Sequence, residues 1–239
     1  MRLEAAPQWF PLEKPGAVRL GGLHQRAAGA VREWGIIPVK PHIIGIAGPS
    51  GAGKSELASR LAQELGEAAV MTLDSYYRPM DDLPLEQRQK SNFDLPDALE
   101  WELLFEHLGR LRAGEAIDEP TYDFTRHTRA PSNRRIEPRA FVIVEGLFTL
   151  YWDQVRHELD TKVFVRTIPD VCFERRLARD IAERGRTPES VRELYEKTVH
   201  PSAETYIWPT ERFADVVVSG QQPIEISTAA ILAALRARG

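Results

Sequence analysis

Residues 48–55 have the residue types and spacing of a phosphate-binding loop. Their sequence, GPSGAGKS, fits the pattern G-x-x-x-x-G-K-[S/T] and follows a β-branched run. Glycine lets successive backbone N–H groups turn inward around a phosphate, and a following helix adds partial positive charge at its N-terminus. A glycine-rich turn that binds no ligand is the alternative, which the flanking strand and helix patterns disfavour. The loop is therefore predicted to hold a nucleoside triphosphate through Gly48, Ser50, Gly51, Ala52, Gly53, Lys54 and Ser55.

Two carboxylates, Asp74 and Glu145, each follow an apolar run that is typical of a buried strand. An enzyme that transfers phosphoryl groups needs a carboxylate near Mg²⁺, and a kinase also needs a base for its acceptor hydroxyl. Acidic residues also end strands as helix N-caps, and that is the alternative interpretation of either residue alone. Because both carboxylates would lie at the same sheet edge as the phosphate loop, we favour the catalytic interpretation.

Arginines are concentrated in a short stretch of this acidic protein. One interpretation is a solvated helix face with ion pairs between residues four apart, which Arg176 and Asp180 fit. Other arginines lie on both sides of Gly185, where a turn would let guanidinium groups close over a transferring phosphoryl group. The sequence therefore predicts an arginine-rich lid at residues 175–190. Its arginines are Arg175, Arg176, Arg179, Arg184 and Arg186.

Aromatic residues are frequent in segments that are predicted to connect the regular elements. Flat side chains with one polar group suit a heterocyclic ligand, since they combine stacking with a directional hydrogen bond. Apolar cover for the core is the alternative, although binding residues are concentrated in such connections. Asp94 could accept hydrogen bonds from vicinal ribose hydroxyls. The aromatic set comprises Tyr77, Phe93, Tyr122, Phe124 and His127.

The elements that would position these side chains alternate between strand and helix from residue 42 onward. This order predicts an α/β fold, a doubly wound and mainly parallel sheet with helices on both faces. In such a sheet ligands bind beyond the C-terminal strand ends, where the loop and both carboxylates would meet. A small β-hairpin lobe is expected at residues 115–130. Strands are predicted at 42–47, 69–73, 141–145, 162–166 and 215–219, and helices at 55–65, 97–112, 170–183, from 188, and at 224–238.

Residues 1–40 differ from the rest of the chain. They are rich in proline at first, and 20–34 could form a short helix. We expect an N-terminal extension here, whose role the sequence does not define, followed by one domain over residues 41–239.

Composition excludes several classes of protein. The net charge is −4 in 239 residues, which argues against a general nucleic-acid binder. Cys172 is the only cysteine, so an intrachain disulfide and a cysteine-based zinc site are excluded. No apolar run approaches the roughly 18 residues of a membrane span, and the N-terminus lacks the pattern of a signal peptide. We therefore expect a cytoplasmic protein that acts without a membrane or nucleic-acid partner.

Together these segments resemble the uridine–cytidine kinase family, a branch of the P-loop kinases that includes phosphoribulokinase. The resemblance covers about residues 42–219, and residues 41–239 would form the P-loop kinase domain. It implies phosphorylation of the 5′-hydroxyl of uridine, cytidine or both, with ATP, or alternatively GTP, as donor and Mg²⁺ as cofactor. A homo-oligomer is expected because the family is commonly tetrameric. The matching blocks are GPSGAGKS (48–55), DSYY (74–77), NFDLPDA (92–98), PTYDFTRHTR (120–129), VIVEG (142–146), RRLARDIAERGR (175–186) and WPTERFADVVV (208–218).

The resemblance also implies catalytic roles for individual residues. Asp74 would take the proton from the 5′-hydroxyl near Mg²⁺, which Ser55 and Glu145 would hold. Lys54 would act on the phosphates of the donor, and the family lid implies phosphate contacts from Arg176, Arg179 and Arg184.

A second set of residues would bind the nucleoside. Asp94 would hold the ribose hydroxyls, and Arg186 would add to nucleoside binding. Tyr122 and His127 would recognise the pyrimidine edge, and histidine at the latter position is associated with acceptance of both uridine and cytidine. The walls of the pocket would be Tyr77, Phe93 and Phe124.

This chain departs from the family pattern at two places. Leu194 stands where a glutamine usually contacts the nucleoside, and residues 219–222, SGQQ, replace the usual P-R-G segment. Two other functions therefore stay open at this point. One is a P-loop kinase for another small alcohol, such as a pantothenate-type or sugar-phosphate substrate, and the other is a nucleotide-binding regulator without catalysis.

Overall fold

Five parallel strands form the central sheet of the computed structural model, which describes residues 40–89 and 91–238. With strands numbered along the chain, their order is β2-β5-β1-β6-β7, and two further strands pair as a separate antiparallel hairpin. The parallel strands confirm the predicted fold class. The strands are β1 (His42–Ala47), β2 (Ala68–Thr72), β3 (Ile117–Asp123), β4 (Thr128–Ile136), β5 (Phe141–Glu145), β6 (Thr161–Arg166) and β7 (Val216–Ser219).

Helices cover both faces of the sheet and connect its strands. They are α1 (Lys54–Leu65), α2 (Leu85–Arg88), α3 (Trp101–Arg112), α4 (Asp153–His157), α5 (Pro169–Arg184), α6 (Pro188–Leu194), α7 (His200–Ser202) and α8 (Ile224–Arg238). Three 3₁₀ segments, Leu73–Tyr76, Pro96–Ala98 and Trp208–Phe213, and two π-helical turns, Tyr195–Val199 and Ala203–Ile207, complete the described chain.

The two faces of the sheet bury alternate residues of the same strand. Ile43 of β1 packs in a cluster with Leu104 and Leu108 of α3, whereas Ile44 packs with Leu57 of α1 on the opposite face. This alternation follows from the two-residue period of a strand. A strand that is covered on both faces needs apolar residues at successive positions, as in the β-branched run of β1. The phosphate loop therefore emerges from a strand that is buried on both faces.

The helix predicted at 97–112 begins later than its sequence pattern indicated. Residues 98–100 are drawn into backbone pairing with the turn after β2, where Glu100 N–H donates to Tyr76 O at 2.8 Å and Arg78 N–H donates to Ala98 O at 2.9 Å. Because this pairing requires extended backbone, α3 begins only at Trp101. The predicted start of this helix at residue 97 was therefore wrong, whereas its predicted end at residue 112 is confirmed.

The predicted hairpin at 115–130 is present but longer. Strands β3 and β4 pair from Ile117 to Ile136, with a register shift between Pro120 and Tyr122. The predicted extension at 1–40, including its helix at 20–34, lies almost wholly outside the described residues. No helix within the described ranges combines the length and apolar character that a membrane crossing requires.

Candidate active site

A cavity of about 690 Å³ opens beyond the C-terminal ends of β1, β2 and β5. It brings together the predicted phosphate loop, both carboxylates, the arginine segment and the aromatic set. Of the residues selected from the sequence, Gly48 and Ala52 are the two that do not line it. These two residues pack against the protein interior. A Cβ on Gly48 would lie 2.6 Å from Val165 O, and Ala52 is fully buried.

The phosphate loop is held in a conformation that depends on glycine. Gly51 and Gly53 have φ values of 82° and 95°, which L side chains rarely adopt. A Cβ on Gly51 would also lie 2.4 Å from Cys172 O, so α5 packs directly against the loop. Lys54 begins α1 and donates from Nζ to Pro49 O at 3.0 Å. Burial lowers the pKa of Lys54, whereas the carboxylates of Glu145 and Asp74 oppose this shift.

Glu145 is the point where three elements meet at the sheet edge. Its Oε1 accepts hydrogen bonds from Ser55 Oγ at 2.9 Å and from Thr72 Oγ1 at 3.1 Å. The Thr72 hydroxyl also accepts from Asp74 N–H at 3.4 Å and thereby caps the 3₁₀ turn that carries Asp74. Hydroxyl and carboxylate oxygens are the donors that Mg²⁺ prefers, so the predicted metal-binding residues fit this cation.

The described residues contain no cluster of three histidine, cysteine, aspartate or glutamate side chains that could hold a metal. Mg²⁺ in phosphoryl-transfer sites is bound by one or two carboxylates together with substrate phosphates, so the predicted site at Ser55, Asp74 and Glu145 does not need such a cluster.

Asp74 is a carboxylate in an environment that favours its protonated form. Burial raises its pKa, and the nearby Glu145 carboxylate raises it further, whereas Lys54, Arg184 and Arg179 act in the opposite direction. A raised pKa makes a carboxylate a better proton acceptor when it is ionised. Asp74 also lines the cavity, where a carboxylate of this kind could accept a proton from a bound hydroxyl.

The arginine segment is organised around Asp180, a fully buried carboxylate in α5. Arg179 donates to Asp180 Oδ1 from Nε and Nη2, at 3.0 and 2.9 Å. Three more guanidinium groups, those of Arg176, Arg184 and Arg186, lie 3.5, 3.5 and 3.6 Å from its oxygens. The interpretation of Arg176 and Asp180 as a solvated pair was wrong, because both side chains are buried.

Gly185 makes this arrangement possible. It ends α5 in the left-handed conformation, with φ 62°, so that Arg186 N–H can donate to Asp180 O at 3.2 Å. The chain thus reverses immediately after Arg184, and arginines from both sides of the turn reach one carboxylate. Sequence reasoning missed this role of Asp180, although its position between the arginines was a usable signal.

Arg176 connects the phosphate loop with the predicted ribose site. Its Nη1 donates to Ser50 Oγ at 3.0 Å and lies 3.4 Å from Asp94 Oδ1. Asp94 is itself fixed by its backbone, since its N–H donates to Asn92 Oδ1 and its carbonyl accepts from Ser202 Oγ. One buried guanidinium group therefore touches the parts of the site that would hold donor and acceptor.

The aromatic set forms one continuous wall. The ring of Tyr77 lies 5.3 Å from that of Phe93 and 5.2 Å from that of Tyr122, and the His127 ring stacks on Phe93 at 5.6 Å. Phe124 lies 5.2 Å from Tyr122 and is 43% exposed at the mouth of the cavity. Most of these rings meet edge to face or tilted, and together they give the cavity an aromatic side against which a heterocycle could pack.

The hydroxyl groups of Tyr77 and Tyr122 differ in whether they have a hydrogen-bond partner within the described residues. Tyr77 Oη donates to Phe93 O at 3.1 Å, whereas Tyr122 Oη is buried and has no hydrogen-bond partner among the described residues. Burial and the Asp74 carboxylate raise the pKa of Tyr122, so its hydroxyl stays protonated. An unsatisfied donor of this kind is costly unless a ligand pairs with it.

His127 has an unusual backbone and a shifted pKa. Its φ is 49°, a conformation rare for residues other than glycine. Burial lowers its pKa, and the positive charges of Arg186 and Arg184 lower it further, so the ring is neutral at neutral pH. Leu194, which departs from the family pattern, also lines the cavity and presents an apolar side chain there.

This chain is similar to known proteins over most of its length. Residues 43–227 match the Phosphoribulokinase / Uridine kinase family. A uridine kinase of Chloroflexus aurantiacus is 45% identical over 203 residues, which cover 82% of this chain and 97% of that protein. A uridine kinase of Deinococcus deserti is 44% identical over 182 residues, covering 75% of this chain and 88% of that protein.

Solved structures share the fold at low sequence identity. Phosphoribulokinase from Rhodobacter spheroides superposes with a TM-score of 0.54 at 20% identity, covering 77% of this chain and 74% of that one. D-glycerate 3-kinase from Cryptococcus neoformans gives a TM-score of 0.57 at 16% identity, with coverage of 84% and 94%. These structures support the kinase fold of the sheet and helices.

Proposed function

This chain belongs to the phosphoribulokinase / uridine kinase family, and from that premise we propose that it phosphorylates the 5′-hydroxyl of uridine, cytidine or both. The donor is ATP, with GTP as an alternative, and the product is the nucleoside monophosphate. The alternatives of another small alcohol and of an inactive regulator are less well supported. Relatives with 44–45% identity are uridine kinases, and every predicted catalytic side chain lines one cavity.

The observation that carries the proposal is the position of Asp74 between two different binding surfaces. Asp74 lines the same cavity as Lys54 of the phosphate loop and as Tyr77 and Tyr122 of the aromatic wall, and its charge acts on all three. A base in this position can accept the proton of a hydroxyl that the aromatic wall holds, while the phosphate loop holds the donor. A simple nucleotide-binding protein would not need such a residue.

The transfer would proceed by displacement along one line. Asp74 would orient the 5′-hydroxyl and accept its proton as the oxygen attacks the γ-phosphorus, while the bond from this phosphorus to the bridging oxygen breaks and the nucleoside diphosphate leaves. Lys54 and the arginines near Asp180 stabilise the negative charge on the phosphoryl oxygens, which is the main source of catalysis in such reactions. When bound, Mg²⁺ neutralises charge on the phosphate oxygens, and Ser55 and Glu145 are the residues that would hold it.

Recognition of the base would depend on the aromatic wall. A pyrimidine that stacks there would accept a hydrogen bond from Tyr122 Oη, which has no partner among the described residues. The neutral ring of His127 can donate or accept, and that dual capacity suits both uracil and cytosine edges. Asp94, with Arg176 beside it, would accept from the ribose hydroxyls.

A direct assay tests this proposal. The purified protein with Mg²⁺ is offered ATP or GTP and, separately, uridine, cytidine, pantothenate, D-glycerate and D-ribose, and the release of nucleoside diphosphate is measured. We expect kcat/KM for a pyrimidine nucleoside to exceed that for every other acceptor by at least 100-fold. Equal turnover of all acceptors, or none, would overturn the proposal.

We also propose that the protein acts as a homo-oligomer, following the resemblance to its family. Light scattering after size exclusion gives the subunit number of the full chain. Removal of residues 1–38 then tests whether the predicted N-terminal extension contributes, since a smaller assembly with lower activity would assign it to subunit contacts.

A further inference from the structure

Strand β2 lies at one end of the five-stranded sheet. Along a strand, residues two positions apart direct their backbone groups to the same side. The odd-numbered residues of this segment direct their backbone groups toward β5, because Glu67 O accepts a hydrogen bond from Phe141 N–H. The carbonyl of Val70 and the N–H of Thr72 therefore point to the outer edge of the described sheet. Such groups need other partners where the edge is covered.

Two side chains of the hairpin supply those partners. Arg134 Nη2 donates to Val70 O at 2.7 Å, and Thr72 N–H donates to Glu119 Oε1 at 3.3 Å. The same two side chains bind each other, because Arg134 donates from Nε to Glu119 Oε2 at 2.8 Å and also contacts it through Nη2. Glu119 is completely buried. The ion pair thus offers one donor and one acceptor to the sheet, as a neighbouring strand would.

We propose that the Glu119–Arg134 pair positions the acceptor-binding hairpin against the catalytic edge of the sheet, an inference that rests on the function proposed above. On one side the pair belongs to the hairpin that carries Tyr122 and His127. On the other it fixes the backbone of Thr72, whose hydroxyl donates to Glu145 and caps the turn of Asp74.

The pair therefore connects the hairpin, which would bind the nucleoside, with the sheet edge that carries Asp74 and Glu145. It sets the distance between the wall that binds the nucleoside and the carboxylates that act on its 5′-hydroxyl. Both members are positioning residues, because they act through Thr72 and through the hairpin. A second attachment exists near the turn of the hairpin, where Arg129 donates to Tyr77 O at 2.9 Å and pairs with Glu100. Loss of the pair would accordingly tilt the hairpin and would not release it.

Stability alone does not require this pair. Glu119 is completely buried, whereas the Arg134 side chain is 50% exposed. Removing Arg134 alone would leave a buried carboxylate without its counter-charge, whereas replacing both side chains by apolar ones removes the buried charge as well. Apolar side chains cannot, however, bond to Val70 O and Thr72 N–H. The double variant Glu119→Leu/Arg134→Met therefore separates the packing role from the positioning role.

The test measures kinetics and hydrogen exchange on the full chain. For the double variant we expect kcat/KM for the pyrimidine nucleoside to fall about ten-fold, with a higher nucleoside KM, while the Kd of ATP stays within two-fold. Amides of residues 68–74 should exchange at least five-fold faster in the protein without ligands. The matched control is Asp118→Leu/Arg135→Met, since that exposed pair occupies the next register of the same hairpin and does not touch the sheet.

The outcomes are distinct. A double variant with kcat/KM within two-fold of the wild type and unchanged exchange at 68–74 would overturn the proposal. An equal fall of kcat/KM in the control variant would also overturn the proposal, because any double substitution in the hairpin would then have the same effect. If the wild type phosphorylates no pyrimidine nucleoside, the proposed function fails, and the exchange comparison still decides whether the pair docks the hairpin.

Discussion

Arg179 donates two hydrogen bonds, at 3.0 and 2.9 Å, to one oxygen of Asp180, the next residue in the same helix. The carboxylate has no exposure to solvent, and it is the common ion-pair partner of four of the five arginines that line the cavity. Four positive charges near one negative charge leave a positive surface that favours phosphate groups. Asp180 thus holds four arginine side chains close together beside the cavity.

Asp180→Asn should lower kcat and stability together. The amide keeps the shape of the side chain but removes the charge that the four guanidinium groups share, and breaking a buried pair costs about 3–5 kcal/mol. We expect kcat to fall at least ten-fold and urea unfolding to move to lower concentration. Glu174→Gln, an exposed change in the same helix, is the control and should alter neither quantity. An Asp180→Asn variant with wild-type kcat would show that the arginines do not need this anchor.

The sequence patterns predicted the positions of the strands and the class of the fold, but not the side-chain contacts between distant segments. Strand and loop positions follow from local patterns, so the phosphate loop, Asp74 and Glu145 could be predicted to share an edge. The burial of Asp180 could not be predicted in this way. Its spacing of four residues from Arg176 is equally compatible with a solvated ion pair and with a buried ion pair. Thr72 and Glu119 were missed for a related reason. Their partners are contributed by distant segments, which periodicity does not identify.

Asp74→Asn should abolish most turnover and at the same time stabilise the protein at neutral pH. The folded state raises the pKa of Asp74, so ionisation above that pKa opposes folding, and stability is greater at pH values below the ordinary pKa of the group. The asparagine variant lacks this penalty. We expect a higher Tm than the wild type at pH 7.5 and a smaller difference at pH 4. Unchanged turnover would exclude Asp74 as the base.

The pH profile of kcat/KM should show the raised pKa of Asp74 directly. The base must be ionised to accept a proton, so activity should decline on the acidic side at a pH above 3.8, the ordinary value of an aspartate. The measurement covers pH 4.5 to 8.5 with a saturating concentration of ATP. The residual activity of Asp74→Asn should lack this acidic limb. A profile in which wild type and variant have the same limb would assign it to another group.

Tyr122→Phe should weaken nucleoside binding without destabilising the protein. Its hydroxyl has no hydrogen-bond partner among the described residues, so its removal costs the free protein nothing and deprives a bound base of a donor. We expect the nucleoside KM to rise about ten-fold, with a Tm equal to or higher than that of the wild type, because the unpartnered hydroxyl is lost. Tyr77→Phe is the contrasting control, because it removes a hydrogen bond to Phe93 O and should cost about 1 kcal/mol of stability. A wild-type KM in Tyr122→Phe would contradict base recognition by this hydroxyl.

Thr72→Val should raise the Mg²⁺ concentration that gives half-maximal activity. The substitution keeps the shape of the side chain but removes the hydroxyl that donates to Glu145 Oε1 at 3.1 Å and caps the turn of Asp74. Outer partners of metal-binding carboxylates hold them in place, and their loss commonly weakens metal binding by about ten-fold or more. We therefore expect a shift of at least five-fold in the Mg²⁺ titration at fixed ATP, together with a lower kcat. Thr228→Val is the matched control, because it removes a buried hydroxyl that bonds only within α8, to Ile224 O at 2.8 Å. Equal Mg²⁺ requirements in Thr72→Val and the wild type would show that Ser55 and the turn geometry orient Glu145 without help from Thr72.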